Sequence, residues 1–233
     1  MRNTTPLWLF DLDNTLHDAS HAIFPAINAN MNTFIEGVLE RSGALCDAEA
    51  VNTMRQRYWR QYGATLLGMM RHHQVSATDF LRDTHRFDDL PAMVRAERGL
   101  IHLLKCLPGK KILLTNAPWR YSRDVLRHLG LHRHFARHVS IEGMHVHRQL
   151  RPKPSSLMLR RLLARERALP QRCILVEDTL ANLRGARQLG VRTAWVTQYL
   201  SAAQEGRRTG RPACVDVKVR SVRHLLRYAR QLP

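Results

Sequence analysis

Apolar and polar positions along this chain fall into two textures. In the first, the runs at 7–10, 112–114 (after Lys110 and Lys111) and 173–176 are apolar up to an abrupt polar stop. Unbroken apolar runs of that length read as strands buried on both faces of a parallel sheet. A further segment at 215–219 alternates and predicts an edge strand. In the second texture, apolar residues recur every three or four positions over 22–39, 48–62, 78–85, 157–167, 180–189 and 221–230. That period predicts amphipathic helices. Gly190 is placed as the stop of one of them, while Gly63, Gly68 and Pro91 punctuate the stretch between the first two strands. Strands alternating with helices predict an α/β protein with a parallel sheet. The long helical stretch after the first strand predicts an insertion.

The polar stops carry the candidate chemistry. Asp11 and Asp13 follow the first strand and share one side of an extended backbone, since side chains alternate with period two. Two carboxylates held that close repel unless a cation lies between them or one takes a proton. Thr115 and Asn116 end the second strand, and Glu177 and Asp178 end the third. Lys153 stands between Pro152 and Pro154, just before the helix at 157–167. Open α/β sheets collect ligands at the carboxyl ends of their strands, so the four segments are expected around one crevice. Asp-x-Asp by itself also occurs in calcium loops and helix caps. A calcium loop is excluded here because no further oxygen ligands, glycine and closing glutamate follow at loop spacing.

Asp11-Leu12-Asp13-Asn14-Thr15, Thr115-Asn116, Lys153 and Glu177-Asp178 stand in that order. They resemble the four motifs of the haloacid dehalogenase-like superfamily of phosphohydrolases, over residues 7 to about 197. The resemblance implies a doubly wound, Rossmann-like core (1–16 and 96–233) interrupted by a helical cap domain (17–95). It implies Mg²⁺ held by Asp11, Asp178 and the backbone carbonyl of Asp13, with Glu177 as ligand directly or through water. Asp11 is then the nucleophile of an aspartyl-phosphate intermediate, and Asp13 the general acid and base. Lys153 and Thr115 bind the phosphate, beside Asn116, which orients Asp13 or the loop. The carboxylate at position 13 points to the phosphatase branch. One departure is Glu177, where the family often has Asp; the Glu-Asp pair occurs in some sugar-phosphate phosphatases and mutases of the superfamily.

The segment from Tyr58 to Gly68, with the opening Asn14-Thr15-Leu16-His17-Asp18, resembles the pyrimidine 5′-nucleotidases of the superfamily. That resemblance implies a nucleoside 5′-monophosphate as substrate. Tyr62 is the candidate for stacking on a base, Arg71 or His72 for bonding its edge, and His17 and Asp18 for facing the substrate. Tyr58 and Trp59, at helical spacing, are expected in the cap core. Two alternatives stay open: a sugar-phosphate phosphatase or phosphomutase, and a non-catalytic nucleic-acid-associated protein on this fold.

Charge changes the picture in one respect. The 233 residues carry a formal net charge of +18, almost all of it arginine. Such a balance steers anionic ligands and favours polyanionic partners, so nucleic acid joins a small phosphorylated metabolite among the expected partners. The arginines are spread over every helix, densest from 206 to 230, where 207–212 reads as an exposed loop. Cys46, Cys106, Cys173 and Cys214 lack Cys-x-x-Cys spacing, which predicts reduced thiols in a cytoplasmic protein. The apolar stretch at 7–10 is too short for a signal peptide, and no run approaches membrane-spanning length. His145-Val146-His147 has metal-compatible spacing without further ligands and is expected in a solvated loop.

Overall fold

A computed structural model describes residues 5–44, 47–200, 210–229 and 232. The chain divides into two compact units, Met1–Ser20 with Val94–Pro233, and His21–Met93.

The first unit is built on a six-stranded parallel sheet of β1 (Leu7–Phe10), β2 (Lys110–Leu114), β3 (Arg137–Val139), β6 (Cys173–Glu177), β7 (Arg192–Val196) and β8 (Val217–Val219). A separate antiparallel pair, β4 (His145–Val146) and β5 (Gln149–Leu150), lies between β3 and β6 in the chain. The order across the sheet is β3-β2-β1-β6-β7-β8. The chain thus winds outward from β1 in one direction, returns, and winds outward in the other. This doubly wound order places the reversal at the carboxyl ends of β1 and β6. Phe10 is level with Leu113 on one side and Val176 on the other, so Asp11 and Glu177 leave the sheet at the same height. The Asp11 N–H still donates to the Val176 carbonyl at 3.0 Å.

Burial on both faces explains the unbroken apolar runs. Trp8, Leu9, Phe10, Ile174, Val176 and Trp195 are all buried. Both tryptophans satisfy their N–H, Trp8 on the Pro108 carbonyl and Trp195 on the Asp178 carbonyl, each at 2.8 Å. The helices of this unit are α6 (Leu100–Cys106), α7 (Trp119–His128), α8 (Ser156–Arg165) and α9 (Leu180–Arg187). Among the described residues no helix is long and apolar enough to cross a membrane. Cys106, Cys173 and Cys214 are free thiols.

The second unit contains α1 (Ile23–Arg41), α2 (Ala48–Tyr62), α3 (Thr65–His73), α4 (Ala77–Thr84) and α5 (Leu90–Met93). Asp47 caps α2 by accepting from the Ala50 N–H at 2.7 Å, and Gly63 ends it in the left-handed conformation. Phe34 and Phe80 pack edge to face between α1 and α4. Tyr58 is buried, whereas Trp59, expected beside it in the core, is 60% exposed.

Three local expectations are corrected, and a fourth lies partly outside the described residues. Gly68 is not punctuation: it lies inside α3, where a Cβ would stand 2.3 Å from the Tyr58 ring. His145 and Val146 form one strand of a hairpin over 145–150 instead of a loop, although both histidines are exposed as expected, and His147 and Arg148 turn it with φ of 50° and 63°. Two successive left-handed residues are the geometry of a two-residue hairpin turn. The closing helix is a 3₁₀ segment, Val222–Arg227, which buries Val222 and Leu225. Three-residue spacing stacks those two on one side of a 3₁₀ turn. Of the 207–212 loop, 207–209 lie outside the described residues; Gly210 and Arg211 are exposed.

The chain enters and leaves the sheet-bearing unit at one place. Asp18 and Arg95 form an antiparallel bridge, with the Asp18 N–H donating to the Arg95 carbonyl at 2.7 Å.

Candidate active site

The turn after β1 is fixed by its own side chains. Asn14 takes a left-handed φ of 58°, and its carbonyl oxygen accepts from the Ala19 and Ser20 N–H groups, both at 3.1 Å. Asparagine tolerates that conformation because its short amide bonds locally. The turn leaves Asp11 buried at the sheet edge, with Oδ2 accepting from the Thr15 hydroxyl at 3.2 Å.

Lys153 reaches the same point from a distant segment. Its Nζ donates to Asp11 Oδ1 at 2.5 Å and to Glu177 Oε2 at 2.8 Å, and the side chain is 5% exposed. Asn116 sets the position of this lysine: its Oδ1 accepts from the Lys153 N–H at 2.9 Å, and its Nδ2 donates to the Lys153 carbonyl at 3.0 Å. Both ends of the Asn116 amide are thereby engaged by the lysine's backbone. Pro154 follows, and its carbonyl lies against Gly185 of α9, where a Cβ would approach to 2.9 Å.

Asp11, Glu177 and Asp178 offer ligand oxygens that all lie within 4.8 Å of one another. The second Glu177 oxygen, Oε1, accepts from the Thr179 N–H at 3.2 Å. Burial, then the Glu177 charge, pushes the Asp11 carboxyl up to about 7. Burial and the same neighbour raise Asp178 well above the usual carboxylate range. Burial works against the charge on Lys153, but Asp11 and Glu177 more than offset it and raise its pKa. One ammonium therefore does not balance three carboxylates, of which Asp11 and Glu177 are buried and Asp178 half-buried. A hard divalent cation would, and an oxygen-only donor set of this kind suits Mg²⁺.

Thr115 ends β2, buried, with its Oγ1 accepting from the Ala117 N–H at 3.0 Å. Asp13 Oδ1 lies 2.5 Å from the Tyr121 hydroxyl and 2.9 Å from His17 Nε2. Burial, then the Asp13 charge, raises the Tyr121 hydroxyl well above its ordinary value, so it is a donor. His17, expected to face substrate, is fully buried here, and Asp18 forms the backbone bridge to Arg95. Both belong to the sheet-bearing unit. Tyr62 and Arg71 belong to the helical unit, with the Tyr62 hydroxyl 2.6 Å from His72 Nε2 and the Arg71 guanidinium 5.9 Å from the Tyr62 ring centre. Sequence reasoning passed over Thr15 and Tyr121. Thr15 was visible as the residue one helical turn past Asp11. Tyr121 carried a weaker signal, an apolar-face position four residues before Val125 in α7.

The sequence profile of the haloacid dehalogenase-like hydrolases matches residues 7–190, which span every one of these side chains. The chain belongs to this family. Among relatives of this hydrolase is a 5′-nucleotidase of Pseudomonas aeruginosa, 24% identical over 192 residues, or 80% of each protein. Among solved structures, a HAD phosphatase from Thermococcus onnurineus superposes with a TM-score of 0.62 at 17% identity, covering 95% of this hydrolase and 96% of that chain. An L-2-haloacid dehalogenase from Xanthobacter autotrophicus gives 0.57 at 16% identity, covering 98% and 99%. Likeness at such identities shows the shared fold.

Proposed function

We propose that this hydrolase is a Mg²⁺-dependent phosphomonoesterase working through an aspartyl-phosphate, with a pyrimidine nucleoside 5′-monophosphate as its substrate. The observation that carries the reading is the meeting of Asp11, Lys153, Glu177 and Asp178 within one buried cluster. A phosphomonoester dianion repels a carboxylate nucleophile, and a cation bound by Asp11, Asp178 and the Asp13 carbonyl would supply the charge that cancels that repulsion. Glu177 joins that set directly or through water. Lys153 holds Asp11 Oδ1 and adds positive charge where the phosphoryl oxygens carry negative charge in the transition state. Thr115, whose Oγ1 accepts from the Ala117 N–H, turns its own O–H toward a phosphoryl oxygen.

Asp11 then attacks phosphorus, and Asp13 protonates the departing oxygen. In the second half Asp13 takes a proton from water, which releases phosphate from Asp11. Substrate choice is assigned to the helical insertion, where Tyr62 and Arg71 offer an aromatic face and a cation to a base. The nucleotide preference draws its support from the Tyr58–Gly68 string and from the Pseudomonas aeruginosa relative.

A phosphate-release panel tests both levels. Uridine and cytidine monophosphates are expected to exceed sugar phosphates in kcat/KM, with activity lost in EDTA, restored by Mg²⁺ and absent from Asp11→Asn. Sugar phosphates in the lead would replace the nucleotide reading, and steady turnover by Asp11→Asn would remove covalent catalysis.

A further inference from the structure

The inference deepens the phosphomonoesterase reading and rests on it. Asp13 is held by two residues outside the four superfamily motifs. Tyr121, in the first turn of α7, has its hydroxyl 2.5 Å from Asp13 Oδ1. His17 Nε2 lies 2.9 Å from the same oxygen and 3.3 Å from the Tyr121 hydroxyl. Both rings are buried, His17 completely.

The tautomer of His17 follows from its other nitrogen. His17 Nδ1 is buried and has no hydrogen-bond partner among the described residues. An orphaned buried N–H is rarer in proteins than an under-used acceptor. A ring hydrogen on Nε2, pointed at Asp13, leaves no buried N–H unpaired. Asp13 Oδ1 then receives two donors, O–H from Tyr121 and N–H from His17.

We propose that Tyr121 and His17 are positioning residues that hold Asp13 by Oδ1 and so keep its carboxyl oriented for proton exchange at the leaving group. In the first half-reaction the bond from phosphorus to the leaving oxygen breaks as the Asp11–phosphorus bond forms. The departing oxygen takes the Asp13 proton with its new electron pair. In the second, water oxygen bonds to phosphorus, the Asp11–phosphorus bond breaks, and the water proton returns to Asp13. The rings touch neither substrate nor phosphorus. They fix the torsion of a side chain that would otherwise rotate.

The leaving group provides the test. Alkoxide departure needs a proton, whereas p-nitrophenolate departs without one. Tyr121→Phe removes a single oxygen from the site, and release of the leaving group in a single turnover is measured by rapid mixing with Mg²⁺ present. The loss for an alkyl monoester is expected to exceed the loss for p-nitrophenyl phosphate by about tenfold or more, within the usual contribution of general acid catalysis. His17→Leu should behave likewise, and His17→Gln, which retains an N–H near the Nε2 position, should recover most of the alkyl rate. Equal losses on both esters would assign the two rings a merely structural role and overturn the proposal, as would no loss on either. A wild-type protein without Mg²⁺-dependent turnover on any monoester would instead bring down the phosphatase reading beneath it.

Discussion

Replacement of Lys153 by Met removes the cation between Asp11 and Glu177 while keeping an apolar stem of similar length. The ammonium makes two short contacts, 2.5 and 2.8 Å, in surroundings that exclude water. Deleting one member of a buried ion pair costs about 3–5 kcal/mol, because the remaining charge is left without compensation. Here the lower end applies, since Asp11 already sits near neutrality and its carboxyl can take up a proton. About 3 kcal/mol corresponds to a drop of roughly 6–12 °C in Tm for a chain of this size. The assay is a thermal melt in EDTA at pH 7.5, beside the same melt in excess Mg²⁺. A cation at about 100 times its Kd adds some 2.7 kcal/mol; the variant, short of one positive charge, should bind Mg²⁺ more tightly than wild type, and the gap should narrow by the difference. Phosphatase kcat/KM should fall about 10²- to 10³-fold, the scale for losing a preorganised charge. A Lys153→Met protein that melts within about 1 °C of wild type in EDTA and turns over normally would refute the electrostatic argument.

Further predictions address the cluster and its supports. In the metal-free protein, folding holds the Asp11 proton up to about pH 7, while the unfolded chain releases it near its ordinary value of 3.8. The native state binds more protons through that window, so this group's contribution to stability is present at low pH and is lost as pH rises toward 7. The difference in Tm between wild type and Asp11→Asn in EDTA should therefore swing against wild type between pH 5 and 8; a constant difference would contradict the assigned burial. Gly185→Ala forces a methyl against the Pro154 carbonyl at 2.9 Å and should push the Lys153 loop outward. Its signature is a large fall in kcat with the far-ultraviolet circular dichroism unchanged, and full activity would show that the loop yields freely. Burial pushes the Cys173 thiol up to about 12, whereas Cys106 is exposed. Iodoacetamide at pH 8 should label Cys106 in the native protein and Cys173 only after unfolding, as read by peptide mass spectrometry.

The parts that were legible in the sequence share a physical cause. β1 and β6 lie at the middle of the sheet with every residue buried, so their apolar runs stand out against any background. α2 was read at its observed bounds because Asp47 and Gly63 mark both ends chemically. The motif residues were legible because reactive side chains at strand ends have few other reasons to be there. What stayed hidden depends on partners remote in sequence. Gly68 looks like a break until Tyr58, ten residues earlier, is seen against its Cα. The hairpin at 145–150 is made by two consecutive left-handed residues, neither of them glycine. Asn116 was expected beside the phosphate, orienting Asp13 or the loop, but which backbone it grips, that of Lys153, 37 residues away, was not visible. Tyr121 meets Asp13 across 108 positions, a pairing no local pattern announces.

The bridge between Asp18 and Arg95 has a consequence for how this protein can change. Because the two backbones are already fastened there, what hangs beyond them is a pendant of 21–93 on a closed stem. A pendant can be lengthened, trimmed or exchanged for another without altering the register of any strand, since the knot that ties it off belongs to the frame. Changes in the inserted unit and changes at the strand ends can then proceed on separate parts of one gene product.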